Sequence, residues 1–181
     1  LRRQLRERDL DSLILTKPVD VTYITAFAGH DSWALITKNA AYLLTDSRYT
    51  EQARKECLRT TLVERRGSMP EAAGKLVQKL PSLRNIALSR SISLAAYETL
   101  KKNVTIPLRK VDGLLEAARS IKDRTEIAAI KTAANIAATA LEKTKSSFKP
   151  GITEIELAGI LDLEIRRLGS RNGFETIVAF G

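Results

Sequence analysis

Few side chains in this sequence could do chemistry, and their spacing decides what kind. There is one histidine, His30, and one cysteine, Cys57, so neither a Cys/His zinc cluster nor an internal disulfide can form. Glu154, Glu156, Asp162 and Glu164 lie close in sequence, but their spacing spreads them along a helix, and they read as its polar residues. A Ser–His–acid triad would have to use His30, and no G-x-S-x-G elbow is present. The glycine-rich loops that cradle phosphates, G-x-x-x-x-G-K-[ST] and G-x-G-x-x-G, are also missing. Cys57 follows a helical pattern and reads as a small core residue. Taken alone, the chain is expected to catalyse nothing.

The most function-like stretch is His30-Asp31-Ser32-Trp33, which has turn chemistry. An exposed imidazole beside a carboxylate and an indole can contact a ligand, as loop residues often do. The same residues also read as a polar turn leading into a strand whose first residue packs.

The elements that must position these residues follow from composition and pattern. The 181 residues suffice for one domain with a sizeable core plus part of another, and 44% apolar with 28% charged residues is ordinary for a globular protein. No apolar run reaches the roughly 18–20 residues of a membrane span. The first eight residues are basic but hold no apolar stretch of a secretory signal, so a cytoplasmic protein is expected. The sequence does not begin with Met, so the first residues exclude a targeting segment only weakly. The net charge is +9. Residues 1–118 carry 20 Lys and Arg against 13 Asp and Glu, and residues 119–181 carry 10 against 8. The basic residues are scattered, aromatics are 5%, and no nucleic-acid-binding motif appears, so no nucleic-acid partner is expected.

Short strand patterns at 12–16, 33–37, 40–45, 60–65, 85–89 and 104–108 alternate with helical ones. The two-residue link Lys38-Asn39 argues for a hairpin, hence an antiparallel pair in a mixed sheet. Pro107 places the last strand at an edge. From Ser120 the period changes. Asp123 with Glu126, and Thr153 with Glu156, make capping boxes for a helix of about 24 residues and a second from 155 to 168. The second helix is apolar nearly all round, which predicts burial on more than one side. Residues 174–180 read as a strand cut off at Gly181. A helix pair with one strand cannot bury its own apolar faces, so a following segment or a partner is expected to cover them.

Five segments in order resemble the creatinase/aminopeptidase P branch of the metallopeptidase family that includes prolidase and methionine aminopeptidase. They are 11–27 (DSLILTKPVDVTYITAF), 43–53 (LLTDSRYTEQA), 119–127 (RSIKDRTEI), 150–154 (PGITE) and 174–181 (FETIVAFG). The resemblance implies an α/β creatinase-type, ribonuclease H-like domain over 1–119, with a mixed sheet flanked by helices. Residues 120–181 would then open an α+β "pita-bread" catalytic domain. The family removes a residue preceding proline from peptides, using two divalent metals, often manganese, held by two Asp, one His and two Glu. Two metals about 3.5–4 Å apart polarise the carbonyl and activate water. Those ligands lie downstream of the family strand matching 174–181, so the resemblance assigns no metal ligand here. It implies a homo-oligomer in which the N-terminal domain gates substrate size, with Phe174 lining the substrate pocket and His30 and Trp33 touching substrate across subunits. A pseudo-peptidase that binds peptides or proteins without cleaving them is the alternative, and creatine or ectoine hydrolases are sister possibilities.

Overall fold

The computed structural model describes residues 1–180. The chain divides into two compact units, Leu1–Ser120 and Ile121–Gly181.

The first unit is built on six strands: β1 (Ser12–Leu15), β2 (Trp33–Thr37), β3 (Ala41–Thr45), β4 (Thr61–Glu64), β5 (Ile86–Ser89) and β6 (Leu108–Val111). They lie in the order β4-β3-β2-β1-β5-β6. β1 pairs antiparallel with β2 and β2 with β3, whereas β1/β5, β3/β4 and β5/β6 are parallel. The sheet is therefore mixed, and the hairpin forms at Lys38-Asn39. That turn has no Asn-Gly pair, and Thr37 supplies what is missing. Its hydroxyl accepts the Asn39 and Ala40 N–H groups at 3.2 and 2.8 Å.

Helices cover both faces. The alternation of β-strand side chains sends Leu13, Leu15, Ala34, Ile36 and Leu43 to one face. There they meet α1 (Arg2–Glu7), α2 (Pro18–Thr25), α3 (Thr50–Glu56) and α6 (Leu114–Ser120) through Leu5, Val21, Ala53 and Leu114. Ile14, Leu35 and Leu44 point to the other face, where α4 (Met69–Gln78) and α5 (Leu94–Lys102) contribute Leu76 and Leu100. β1 is buried along its whole length, as expected of a central strand covered on both sides.

A polar knot closes one end of the central strands. The Asp11 carboxylate accepts from Lys38 Nζ at 2.6 Å, from the Arg84 N–H at 2.9 Å and from Arg84 Nε at 3.3 Å. The Asp11 N–H donates to Asn85 Oδ1, and Ser12 Oγ donates to the Asn85 carbonyl. The start of β1, the hairpin turn and the entry to β5 are thereby held together.

One strand begins later than the pattern predicts. β6 starts at Leu108 instead of Val104, because Pro107 has no N–H to give a ladder. Its carbonyl instead accepts the Ile86 N–H, and pairing runs on from there. β6 is an edge strand.

The second unit holds α7 (Arg124–Thr144) and α8 (Glu154–Arg167). Both capping boxes form, on Asp123 with Glu126 and on Thr153 with Glu156. Gly169 ends α8 in the left-handed conformation. Glu164 bridges the two helices, accepting from Arg167 at 2.6 Å and lying 3.7 Å from Lys143. Two expectations are corrected here. Residues 174–180 are not a strand, since no neighbouring strand among the described residues offers a ladder. α8 is not buried all round either. Only Leu157 and Glu164 are buried in it, and Ile155 is 80% exposed.

Candidate functional site

The His30 loop is held firmly by residues distant in sequence. α2 ends on Ala26, a non-glycine residue at φ 65°, a conformation that costs about 1–2 kcal/mol for an L-residue. Thr22 Oγ1 donates to the Phe27 carbonyl at 2.7 Å, and the Ala28 N–H donates to Glu56 Oε2 at 2.8 Å. That bond, with a second from Gln52, holds the Glu56 carboxyl below the usual range. Phe27 is fully buried, edge-on to Tyr49 at 6.0 Å between centroids. Its ring lies where a Cβ on residue 29 would have to sit, so any residue other than glycine there forces that ring to move.

Asp31 anchors the far side of the loop. Its carboxylate accepts from Arg48 at 2.9 Å and from Arg65 at 2.5 Å, and its carbonyl accepts from Thr45 Oγ1. Asp46 completes the cluster, accepting from both arginines and capping the turn at residues 47–49. The hydrogen bonds from Arg48 hold the Asp46 carboxyl at about 2, against the opposing effect of burial. Arg48 in turn lies 5.4 Å from the Tyr49 ring centroid.

On this frame the candidate residues are placed differently. His30 is exposed, and its side chain has no hydrogen-bond or ion-pair partner among the described residues. Trp33 opens β2, half-buried, and packs against the core face shared with α4 and α5. His30 lies on the loop and Trp33 three residues later, in the first position of the strand it leads into. No nucleophile–base pair is formed: Ser32 is buried, and Cys57 is buried with its thiol pKa pushed up by that burial. The loop can therefore present an imidazole for contact but has no means of attacking a bond.

The second unit carries a different feature, an apolar groove of about 430 Å³ lined by Ala133, Ile136, Leu161, Ile165, Phe174 and Ile177. Phe174 is 80% exposed at its wall. The segment is fixed through Asp162, whose carboxylate accepts from Thr176 Oγ1 at 2.5 Å and from Asn172 Nδ2 at 2.6 Å. These two bonds, one on each side of Phe174, lower the Asp162 pKa.

Sequence reasoning singled out His30, Trp33 and Phe174 but missed the residues that position them. Asp46, Arg48, Tyr49 and Gln52 stand in one motif whose roles no spacing reveals. Arg65 and Glu56 reach the loop only through the fold. Among the described residues no three His, Cys, Asp or Glu side chains converge as metal ligands.

Comparison with known proteins agrees with this architecture. The creatinase/prolidase N-terminal domain family matches residues 1–121, and metallopeptidase family M24 matches residues 128–181. An uncharacterized peptidase of Bacillus subtilis, YqhT, is 30% identical over the whole chain, and a Xaa-Pro dipeptidase of Pyrococcus horikoshii is 27% identical over 97% of it. The chain spans about half of each, 52% and 49%. Among solved structures, a Xaa-Pro dipeptidase from Bacillus anthracis is similar over 92% of this chain and 47% of its own, with TM-score 0.84 and 30% identity. An X-Pro aminopeptidase from Thermotoga maritima is similar over 91% of this chain and 49% of its own, with TM-score 0.82 and 28% identity. M24 proteins use divalent metals. With no converging ligand set, the residues described here do not fit such a centre. The mixed six-stranded sheet, its flanking helices and the match over residues 1–121 place the chain in the creatinase/prolidase N-terminal domain family.

Proposed function

We propose that this chain is the amino-terminal half of a metal-dependent Xaa-Pro peptidase, hydrolysing peptide bonds next to proline, and that residues 1–181 have no such activity by themselves. The observation that carries this reading is the order of the two matches. A creatinase/prolidase N-terminal domain is followed in the same chain by the opening of an M24 peptidase domain, and relatives named as Xaa-Pro peptidases are about twice as long. The first domain ends at residue 119, and the capping box at Asp123 starts the first helix of the second.

The parent protein holds two divalent ions, manganese being the expected metal, on ligands outside residues 1–181. It is a cytoplasmic homo-oligomer whose substrates are peptides with proline in second position. The pinned loop supports a role for His30 and Trp33 in limiting substrate size across a subunit boundary. The groove position supports Phe174 as a wall of the substrate pocket.

The test is hydrolysis by the product of the complete reading frame. With Mn²⁺, it should cleave Ala-Pro or Ala-Pro-Ala and spare Ala-Ala, and a chelator should abolish turnover. Absence of cleavage with binding retained would replace the proposal by a peptide-binding pseudo-peptidase. Hydrolysis by residues 1–181 alone would overturn the claim of inactivity. Unchanged tripeptide kinetics in the full-length Trp33→Ala protein would sink the gating role.

A further inference from the structure

β4 is an edge strand whose open side faces nothing among the described residues of the first unit. Arg65 donates its N–H to the Thr45 carbonyl at 2.7 Å. Backbone groups alternate sides along a strand, so Thr61, Val63 and Arg65 turn theirs toward β3, while Leu62 and Glu64 turn theirs to the open edge. The strand, TLVE, carries no lysine or proline of the kind that blunts such edges. Beside it runs a groove of about 480 Å³ between β4 and α4. Its floor is apolar, with Tyr42, Val63, Ala72 and Leu76, and its rim is basic on balance, with Arg66, Lys75 and Lys79 against the single carboxylate of Glu64, which accepts from Thr50 Oγ1. None of these three cations forms a salt bridge among the described residues, although Lys75 lies close enough to Glu71 to help lower its pKa.

The geometry points to β4 as a docking edge for an extended acidic segment of a partner protein, added as a further strand. Main-chain pairing with Leu62 and Glu64 would supply affinity without regard to sequence, and the groove would read the side chains on one face of the added strand. The floor fits a small apolar residue, and the rim favours carboxylates on either side of it. A second copy of this chain is the poorer occupant, because two basic rims would be brought together. Arg65, which holds Asp31 of the His30 loop, also lines this groove, but the proposal does not depend on the peptidase reading.

The experiment uses the peptide TETVTET carrying fluorescein, titrated with the protein at low salt and followed by anisotropy. Saturable binding is expected, with a Kd raised at least roughly tenfold in the double variant Lys75→Glu, Lys79→Glu, and weakened by 0.5 M NaCl. The lysine counterpart TKTVTKT should not bind. Methylating alternate amide nitrogens of TETVTET leaves the protein untouched and should abolish binding if strand addition holds it. Equal binding of the methylated peptide, or of TKTVTKT, would overturn the proposal. A dimer in sedimentation that TETVTET does not dissociate and that the double variant tightens would overturn it too, by giving the edge to a second copy.

Discussion

Asp11 offers a direct test of how the first unit is held together. Its side chain is 7% exposed. Burial by itself would raise its pKa, but the Lys38 ammonium, the Arg84 N–H and the Arg84 guanidinium more than offset this and bring it from 3.8 to about 2. A fall of that size corresponds to about 2 kcal/mol of folding stability. Because the folded pKa lies below the unfolded one, the contribution is complete above pH ~5 and is lost as pH falls toward 2, with about half gone at pH 3. Asp11→Asn keeps the shape and removes the charge. It should therefore lower stability by about 2 kcal/mol at pH 7, and by about half that at pH 3. Trp33 is the only tryptophan and sits half-buried on β2, so its fluorescence in urea reports this unit specifically. A difference between the two proteins that stays constant from pH 7 to pH 3 would refute the reasoning, since it would assign the effect to packing and not to the charge.

Gly29→Ala should destabilise the same unit by about 1–3 kcal/mol, because its Cβ must displace the Phe27 ring from a filled site; an unchanged urea midpoint by Trp33 fluorescence would contradict this. Hydrogen exchange should divide the chain. Amides of β1, β2 and β5 should exchange only on global unfolding of the first unit, whereas those of α7 and α8 should exchange orders of magnitude faster, since Ala140 and Leu157 are the only buried apolar side chains of that unit among the described residues. Equal protection in both units would show the second to be as self-sufficient as the first.

How much could be read in advance depended on how local each determinant is. The capping boxes of α7 and α8 are complete within four residues, so Asp123, Glu126, Thr153 and Glu156 could be placed from spacing alone. Five of the six strands, β1 to β5, followed from alternation and turn residues, and so did the hairpin. The knot at Asp11 could not be foreseen, because its partner Arg84 is 73 residues away and only the parallel pairing of β1 with β5 brings them together. The misplaced β6 shows the limit of apolar pattern. Val104 and Ile106 do pack on the core, but they do so ahead of the ladder that Pro107 prevents from starting there. Residues 174–180 carry a strand's composition, and composition cannot create the neighbour that a strand requires.

The candidate site shows the same dependence in a more instructive form. The segment LLTDSRYTEQA is recognisable as a family pattern, yet nothing in it is a catalyst. Asp46 and Arg48 hold Asp31, Tyr49 packs on Phe27, and Gln52 supports Glu56, which takes the Ala28 N–H. Every polar and aromatic member named thus acts, directly or through one intermediate, on the loop from Ala26 to Asp31. That loop holds two non-glycine residues, Ala26 and Asp31, in left-handed backbone conformations. Such conformations persist only where the surroundings over-determine them, and here the surroundings are a contiguous motif and two residues from elsewhere in the fold. The loop these contacts hold carries an exposed imidazole with no hydrogen-bond or ion-pair partner among the described residues. The backbone of this turn is thus specified jointly by the contiguous motif and by Glu56 and Arg65, which accounts for its two left-handed residues on the way into β2.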